Sequence, residues 1–244
     1  MSILGIIGGT GLTQLEGLTK IRSEACDTPF GKPSSPLVHG MINDTSVVFL
    51  ARHGEQHTIP PHRVNYRANL FALREAGVDE VVAVAAVGGI SDETGPGVIA
   101  IPAQLIDYTW GRQHTYFEDN LEQVTHIDFT EPYCEDLRNK LLDAAQQCAV
   151  PVVNGGVYGA TQGPRLETAA EIDRMDRDGC TLVGMTGMPE AALARELGLC
   201  YAACAVVANR AAGRGEGGIS MREIETTLAA AMGHVRQILS RLVL

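Results

Sequence analysis

Cys200-Tyr-Ala-Ala-Cys204-Ala-Val-Val-Ala-Asn209-Arg210-Ala211 is an apolar run of small and β-branched residues that stays uncharged until its polar end at Asn209 and Arg210. Such a run reads as a strand buried on both faces, with a polar mouth of the kind at which open α/β sheets bind ligands. Outward from it, short apolar strands alternate with helical spacing along the chain. Strands are expected at 3–7, 47–50, 81–87, 99–101, 105–108 and 181–185, with extended chain at 152–158. Helices are expected at 65–76, stopped by Gly77, and at 131–148, 166–177 and 189–197, the last with Pro189 in its first turn. A long amphipathic helix should occupy 220–244. The alternation predicts an α/β class fold, a central mixed β-sheet flanked by helices, built as a single domain over residues 1–244.

The 19 Lys and Arg against 29 Asp and Glu leave a formal charge of −10, which argues against nucleic acid or an anionic membrane as partner. An anionic small ligand remains possible where local donors overcome that field. The six cysteines, Cys26, Cys134, Cys148, Cys180, Cys200 and Cys204, show no CxxC pair and no zinc-like spacing with histidine. They suit buried free thiols in a reducing compartment, and a cytoplasmic location is expected. The first residues lack the basic start of a signal peptide, and no stretch approaches the roughly 20 apolar residues of a membrane span. The loop at 111–130, with Trp110 before it and His114, Tyr116, Phe117 and His126 within it, is longer than a usual connection and reads as functional or interfacial.

Four segments could hold an anion. Gly8-Gly9-Thr10-Gly11 after the first strand offers backbone amides and a hydroxyl, although it suits a tight turn equally well. It lacks a P-loop lysine, and Gly9-x-Gly11-x-x-Gln14 departs from the dinucleotide fingerprint at its last position. Arg52-His53-Gly54-Glu55-Gln56-His57 adds a planar guanidinium and two imidazoles. Surface ion pairing is one alternative there, and a phosphohistidine phosphatase with a histidine nucleophile is another. Ala85-Ala86-Val87-Gly88-Gly89 and Gly184-Met185-Thr186-Gly187-Met188-Pro189-Glu190 are further strand ends rich in small residues, the second opening a helix whose N-terminus favours negative charge. Each could serve packing alone, and Glu190 could simply complement the helix dipole.

Taken with Asp27-Thr-Pro-Phe-Gly-Lys-Pro33, Gln56-His-Thr-Ile59, Val64-Asn-Tyr66, Gly163-Pro-Arg165 and Cys200-Tyr-Ala, these motifs resemble, in order and over essentially the whole chain, the methylthioadenosine phosphorylase branch of the purine nucleoside phosphorylase family. The resemblance implies a homotrimeric α/β enzyme without metal or organic cofactor that cleaves a purine nucleoside with inorganic phosphate as co-substrate. It implies Thr10, Arg52, His53, Ala86 and Thr186 as phosphate contacts with Ala85 adjacent, Met185 under the ribose, Leu166 and Glu167 beside the purine, and Asn209, Arg210 and Ala211 as the base-reading segment. Asn209 and His53 are the expected catalytic residues.

Two departures from the adenosine-type branch bear on the substrate. That branch carries carboxylates at the positions of Asn209 and Ala211, whereas Asn209 and Glu167 match the inosine- and guanosine-type branch. An amide can donate to a six-oxo group and accept from a protonated ring nitrogen, and a carboxylate accepts the ring N–H of a six-oxopurine. Met221 stands where the inosine-type branch resembled here has a histidine for the 5′-hydroxyl, which implies an apolar 5′ pocket, although methionine at this spacing also suits core packing. His126 is the candidate for closing that pocket, across a subunit interface, although a solvated loop histidine is the equal alternative. The expected reaction is phosphorolysis of S-methyl-5′-thioinosine, with methylthioadenosine or inosine and guanosine as alternative substrates and a non-catalytic nucleoside-binding protein as a further alternative.

Overall fold

A computed structural model of the protein describes residues 3–12, 17–119 and 121–243. Gln14 and the chain ends at 1–2 and 244 lie outside the described residues. The described strands form one mixed sheet of eleven. β1 (Ile3–Gly8) runs parallel to β4 (Thr45–Ala51) on one side and to β5 (Val78–Gly89) on the other. β11 (Cys200–Arg210), the apolar run ending at Asn209 and Arg210, lies parallel along β5 and is followed by β6 (Ile99–Ile101) and β8 (Val152–Asn154). At Gly88 and Gly89, β5 also pairs antiparallel with β10 (Leu182–Gly184), which leads to β9 (Val157–Ala160) and β7 (Gln104–Asp107). The branch requires glycine: a Cβ on Gly89 would lie 1.7 Å from the Thr94 carbonyl oxygen.

Strand periodicity sorts the core into two layers. Ile6, Val47, Phe49, Val82, Val84, Cys204 and Val206 face α2 (Glu135–Gln147) and α5 (Met221–Leu242). Their neighbours Ile7, Val48, Leu50, Val81, Ala83, Ala203 and Val207 face α1 (Tyr66–Glu75) and α4 (Gly187–Glu196). α3 (Ala169–Arg177) covers the branch at β10 through Ile172 and Met175.

Several expected bounds move, each for a local reason. Asn65 caps α1 by accepting from the Ala68 N–H, and Gly77 follows in a left-handed conformation. Helix α3 begins at Ala169 because Thr168 and Glu171 form a capping box, leaving Leu166 and Glu167 outside it. The stretch at 152–158 is two strands, since Gly155 and Gly156 both take positive φ and turn the chain from β8 into β9. The stretch at 131–134 is not helical, and Cys134 is the N-cap of α2. Pro189 follows a cis bond after Met188, whose φ of −120° and ψ of 139° interrupt α4.

Two strands were not anticipated. β2 (Thr19–Glu24) is exposed along its length, and β3 (Leu37–Ile42) carries His39 and Gly40. Neither shows the uninterrupted apolar run that marks a buried parallel strand. The free-thiol expectation fails at Cys134 and Cys200, which form a disulfide joining the start of α2 to the start of β11, while Cys26, Cys148, Cys180 and Cys204 are free.

Candidate active site

The carboxyl ends of β1, β4 and β11 and the segment after β10 open into one cavity of about 430 Å³, within the usual range for small-molecule sites. Gly9, Thr10, Arg52, His53, His57, Ala85, Ala86 and Thr186 line one part of it. Leu166, Glu167, Met185, Asn209, Ala211 and Met221 also line it, with Pro164, Ile219 and Ile224. Ala85 and Ala86 reach the cavity from inside β5, paired with Ala205 and Val206, rather than from a strand end.

Arg52 is 1% exposed and its fork is already engaged. Nε donates to Glu190 Oε2 at 2.7 Å, Nη2 to Glu190 Oε1 at 2.9 Å, and Nη1 to the Val84 carbonyl at 2.9 Å. Three of its five N–H groups are thereby used, and two remain for a ligand. Burial works against the Arg52 charge, but the Glu190 carboxylate more than restores it, so the guanidinium pKa is raised. Glu190 is therefore not a dipole complement at a helix start: it is fully buried, and Tyr201 Oη donates to its Oε1 at 2.8 Å. Gly9 makes room for this pair, because a Cβ there would lie 2.9 Å from Arg52 Nη1.

His53 Nδ1 lies 2.8 Å from the Ile59 carbonyl, an acceptor only, so this nitrogen carries the proton and Nε2 presents a lone pair in the neutral ring. Burial and the Arg52 charge push the His53 pKa down to about 4, against the Ile59 bond that favours the charged form. His57 is also lowered, by burial and by Arg52. It sits at φ 53°, with its ring centroid 4.7 Å from that of His53 and Nε2 3.4 Å from Thr10 Oγ1, linking the loops after β1 and β4. This part of the cavity thus combines two imidazoles held neutral with a cation matched by its own carboxylate.

At the other end, a register shift between Val207 and Asn209 sets Asn209 opposite Gly88. The irregularity re-aims the strand end, as bulges beside sites do. Asn209 Nδ2 donates to the Arg210 carbonyl at 2.7 Å, which leaves Oδ1 and the second amide hydrogen for a ligand. Glu167 Oε1 accepts from Thr161 Oγ1 at 2.6 Å. Met221, the first residue of α5, is 62% exposed and so is not core packing. It forms the cavity rim with Leu166, which is 40% exposed.

Two expected residues stand elsewhere. Arg210 follows Asn209 on the strand and points away, its Nη1 and Nη2 donating to the carbonyls of Ser91 and Asp92. His126 is exposed on the outer loop and does not line the cavity of its own chain. Conversely, the pairing of Glu190 with Arg52 and the part played by Tyr201 carry no local signature. They join residues 138 and 11 positions apart.

A family model described as the phosphorylase superfamily matches residues 3–244. The chain belongs to the phosphorylase superfamily. This phosphorylase is 56% identical over 243 residues to a "Probable S-methyl-5'-thioinosine phosphorylase" of Pseudomonas syringae pathovar tomato, covering 99% of this chain and 98% of that one. A protein of the same name from Xanthomonas campestris is 53% identical over 240 residues, covering 98% and 96%. Among solved structures, methylthioadenosine phosphorylase from Schistosoma mansoni in complex with adenine superposes with a TM-score of 0.96 at 34% identity, covering 100% of this chain and 91% of that one. With that membership the phosphohistidine phosphatase alternative falls. Glu55 of its Arg-His-Gly-Glu string is exposed and does not line the cavity.

Proposed function

We propose that this phosphorylase cleaves S-methyl-5′-thioinosine with inorganic phosphate, giving hypoxanthine and 5-methylthioribose 1-phosphate. The observation that carries the reading is one cavity that brings Thr10, Arg52, His53 and Thr186 together with Asn209 and Glu167, with alanine at 211 and methionine at 221. Phosphate would sit among Thr10, Arg52, His53, Ala86 and Thr186, and the sugar would lie over Met185. As the glycosidic bond loosens, positive charge develops on the ribosyl and negative charge spreads into the purine. The phosphate stabilises the first and then forms the new bond at the anomeric carbon as the carbon–nitrogen bond breaks, and the proton it carries as hydrogenphosphate passes to the departing purine, which leaves as neutral hypoxanthine. Asn209 stabilises the second, its Oδ1 accepting from a protonated ring nitrogen and its amide hydrogen reaching the six-oxo oxygen. No protein nucleophile is required, and the residues act by position and charge. The exposed methionine at the rim suits a methylthio group better than a hydroxyl.

The reading includes a cytoplasmic homotrimer, with phosphate as co-substrate and neither metal nor organic cofactor; that location requires Cys134 and Cys200 to be reduced in the cell, since a reducing compartment does not sustain their bond. In its support, no helix among the described residues is long and apolar enough to cross a membrane, and Trp110, Val124 and Ile127 expose apolar surface on the long loop that carries His126. In such a trimer His126 would close the 5′ pocket of a neighbouring copy.

The test is to follow free base from methylthioinosine, methylthioadenosine and inosine, with and without phosphate. Adenine would face Glu167 with an unprotonated ring nitrogen and offer Asn209 no oxygen. Asn209 and Glu167 are half-buried and would be enclosed by a bound purine, so two such mismatches should cost more than about 100-fold in kcat/KM. The 5′-methylthio group should be preferred over hydroxyl by about 10- to 200-fold. A methylthioinosine to methylthioadenosine ratio near or below one would overturn the six-oxopurine assignment, and equal turnover of inosine would overturn the apolar 5′ pocket.

A further inference from the structure

Arg112 lies in the long loop outside the cavity and is 9% exposed, yet its guanidinium faces six acceptors. Nη1 donates to the carbonyls of Met185 at 2.9 Å and Met188 at 2.5 Å, with Tyr66 Oη at 3.4 Å. Nη2 donates to the carbonyls of Thr161 at 3.1 Å and Gln162 at 2.8 Å, and Nε to Gln162 Oε1 at 3.1 Å. The group also packs 5.6 Å from the Tyr66 ring centroid. None of the six acceptors is a carboxylate.

The four carbonyls belong to two chain segments that leave the sheet side by side. β9 and β10 pair in parallel up to Ala160 and Gly184, and the Thr161 N–H still reaches the Gly184 carbonyl at 2.8 Å. Beyond that point the chains diverge, and carbonyls that would have met a strand partner need another donor. Arg112 supplies donors to both sides. The segment after β9 continues to Pro164, Leu166 and Glu167, and the segment after β10 holds Met185 and Thr186, all of them lining the cavity. A planar fork with fixed donor directions sets the spacing of the two segments, which a flexible ammonium could not do.

We propose that Arg112 is a positioning residue for the nucleoside, a clamp that holds the Glu167 wall and the Met185 platform at one separation. The inference rests on the phosphorolysis reading above. Of the groups assigned to phosphate, Thr186 lies in the segment that Arg112 holds, whereas Thr10, Arg52, His53 and Ala86 stand on or just after strands that it does not touch, so the effect falls chiefly on the nucleoside and less on phosphate.

The experiment compares unmodified enzyme with Arg112→Lys and Arg112→Ala, varying methylthioinosine and phosphate separately, with thermal melting to confirm folding. Lysine keeps the charge without the fork. Nucleoside KM should rise about 10- to 100-fold in Arg112→Lys, the effect of a displacement near 1 Å, while phosphate KM changes by no more than about threefold. In Arg112→Ala, added guanidinium at concentrations well below denaturing should partly restore the nucleoside KM. The fluorescence anisotropy of Trp110, the single tryptophan, should fall in both variants, because its backbone N–H donates to the same Gln162 side chain. A purely structural role would raise both KM values together and show no guanidinium rescue. That result, or unchanged nucleoside KM in Arg112→Lys, overturns the proposal, as does failure of both variants to fold. If the unmodified protein fails to phosphorolyse any purine nucleoside, the functional reading itself falls, and that outcome is separate.

Discussion

Arg52 and Glu190 form a fully buried pair whose two members stand on different elements, and a third group, Tyr201, fixes the carboxylate. Removing one partner strands the other's charge in the interior, which costs about 3–5 kcal/mol. Arg52→Ala should therefore lower the unfolding free energy by that amount, besides raising the phosphate requirement. The double variant Arg52→Met with Glu190→Met should lose clearly less than the sum of the two single changes in urea unfolding, and strict additivity would dissolve the pair. His53 gives a pH signature. Its pKa of about 4 in the folded protein lies below the ordinary 6.5, so the unfolded chain binds more protons between these values. Stability from this group is fully present above about 6.5 and is lost as pH falls toward 4, amounting to about 3 kcal/mol. Unfolding midpoints at pH 7.5 and pH 4.5 should differ less in His53→Gln than in the unmodified protein. An identical acid loss in both would remove His53 as its source.

At the scale of elements, the apolar parallel strands β1, β4, β5 and β11 are legible because burial on both faces demands an uninterrupted apolar run. β2 is not legible, since an exposed edge strand leaves its side chains free to be charged, as Lys20, Arg22 and Glu24 are. Thr10, Arg52, His53 and Asn209 are legible as small or polar residues at strand ends, whereas Arg112 reads as one more polar loop residue until the sheet has brought Thr161 and Met185 together. The disulfide is likewise a tertiary fact. Cys134 and Cys200 are separated by 66 positions, and closing a loop of that size stabilises by about 4 kcal/mol in a chain-entropy account. Urea unfolding with and without dithiothreitol should show a loss approaching that value, and Cys134→Ser should remove the sensitivity to reductant. A midpoint indifferent to reductant would mean that the bond contributes nothing to folding.

For the whole molecule, a formal charge of −10 opposes the approach of a phosphate dianion, and the buried Arg52 cation at the cavity is matched by its own carboxylate, Glu190. Raising ionic strength with a non-competing salt from about 10 mM to about 150 mM shortens the Debye length to about 8 Å and should screen that repulsion. The apparent kcat/KM for phosphate is then expected to rise, by about twofold or more. A fall with added salt would mean that a positive local field dominates at the cavity mouth.

The sequence by itself determined the layer order and the chemistry available at the strand ends. A strand buried on both faces has to be apolar along its length, and glycine, alanine and threonine at its end are what let a backbone approach an anion. It also carried the two substitutions, Asn209 and Met221, on which the proposed substrate rests, because residue identity alone decides which hydrogen bonds a side chain can make. Only the tertiary structure decided how those groups are held. Arg52 is matched by Glu190, His53 is kept neutral by burial, Arg210 turns away while Asn209 faces inward, and Arg112 spans two diverging chains. Each of these depends on distances and solvent exclusion between residues far apart in the chain, and no local pattern of residue types encodes them.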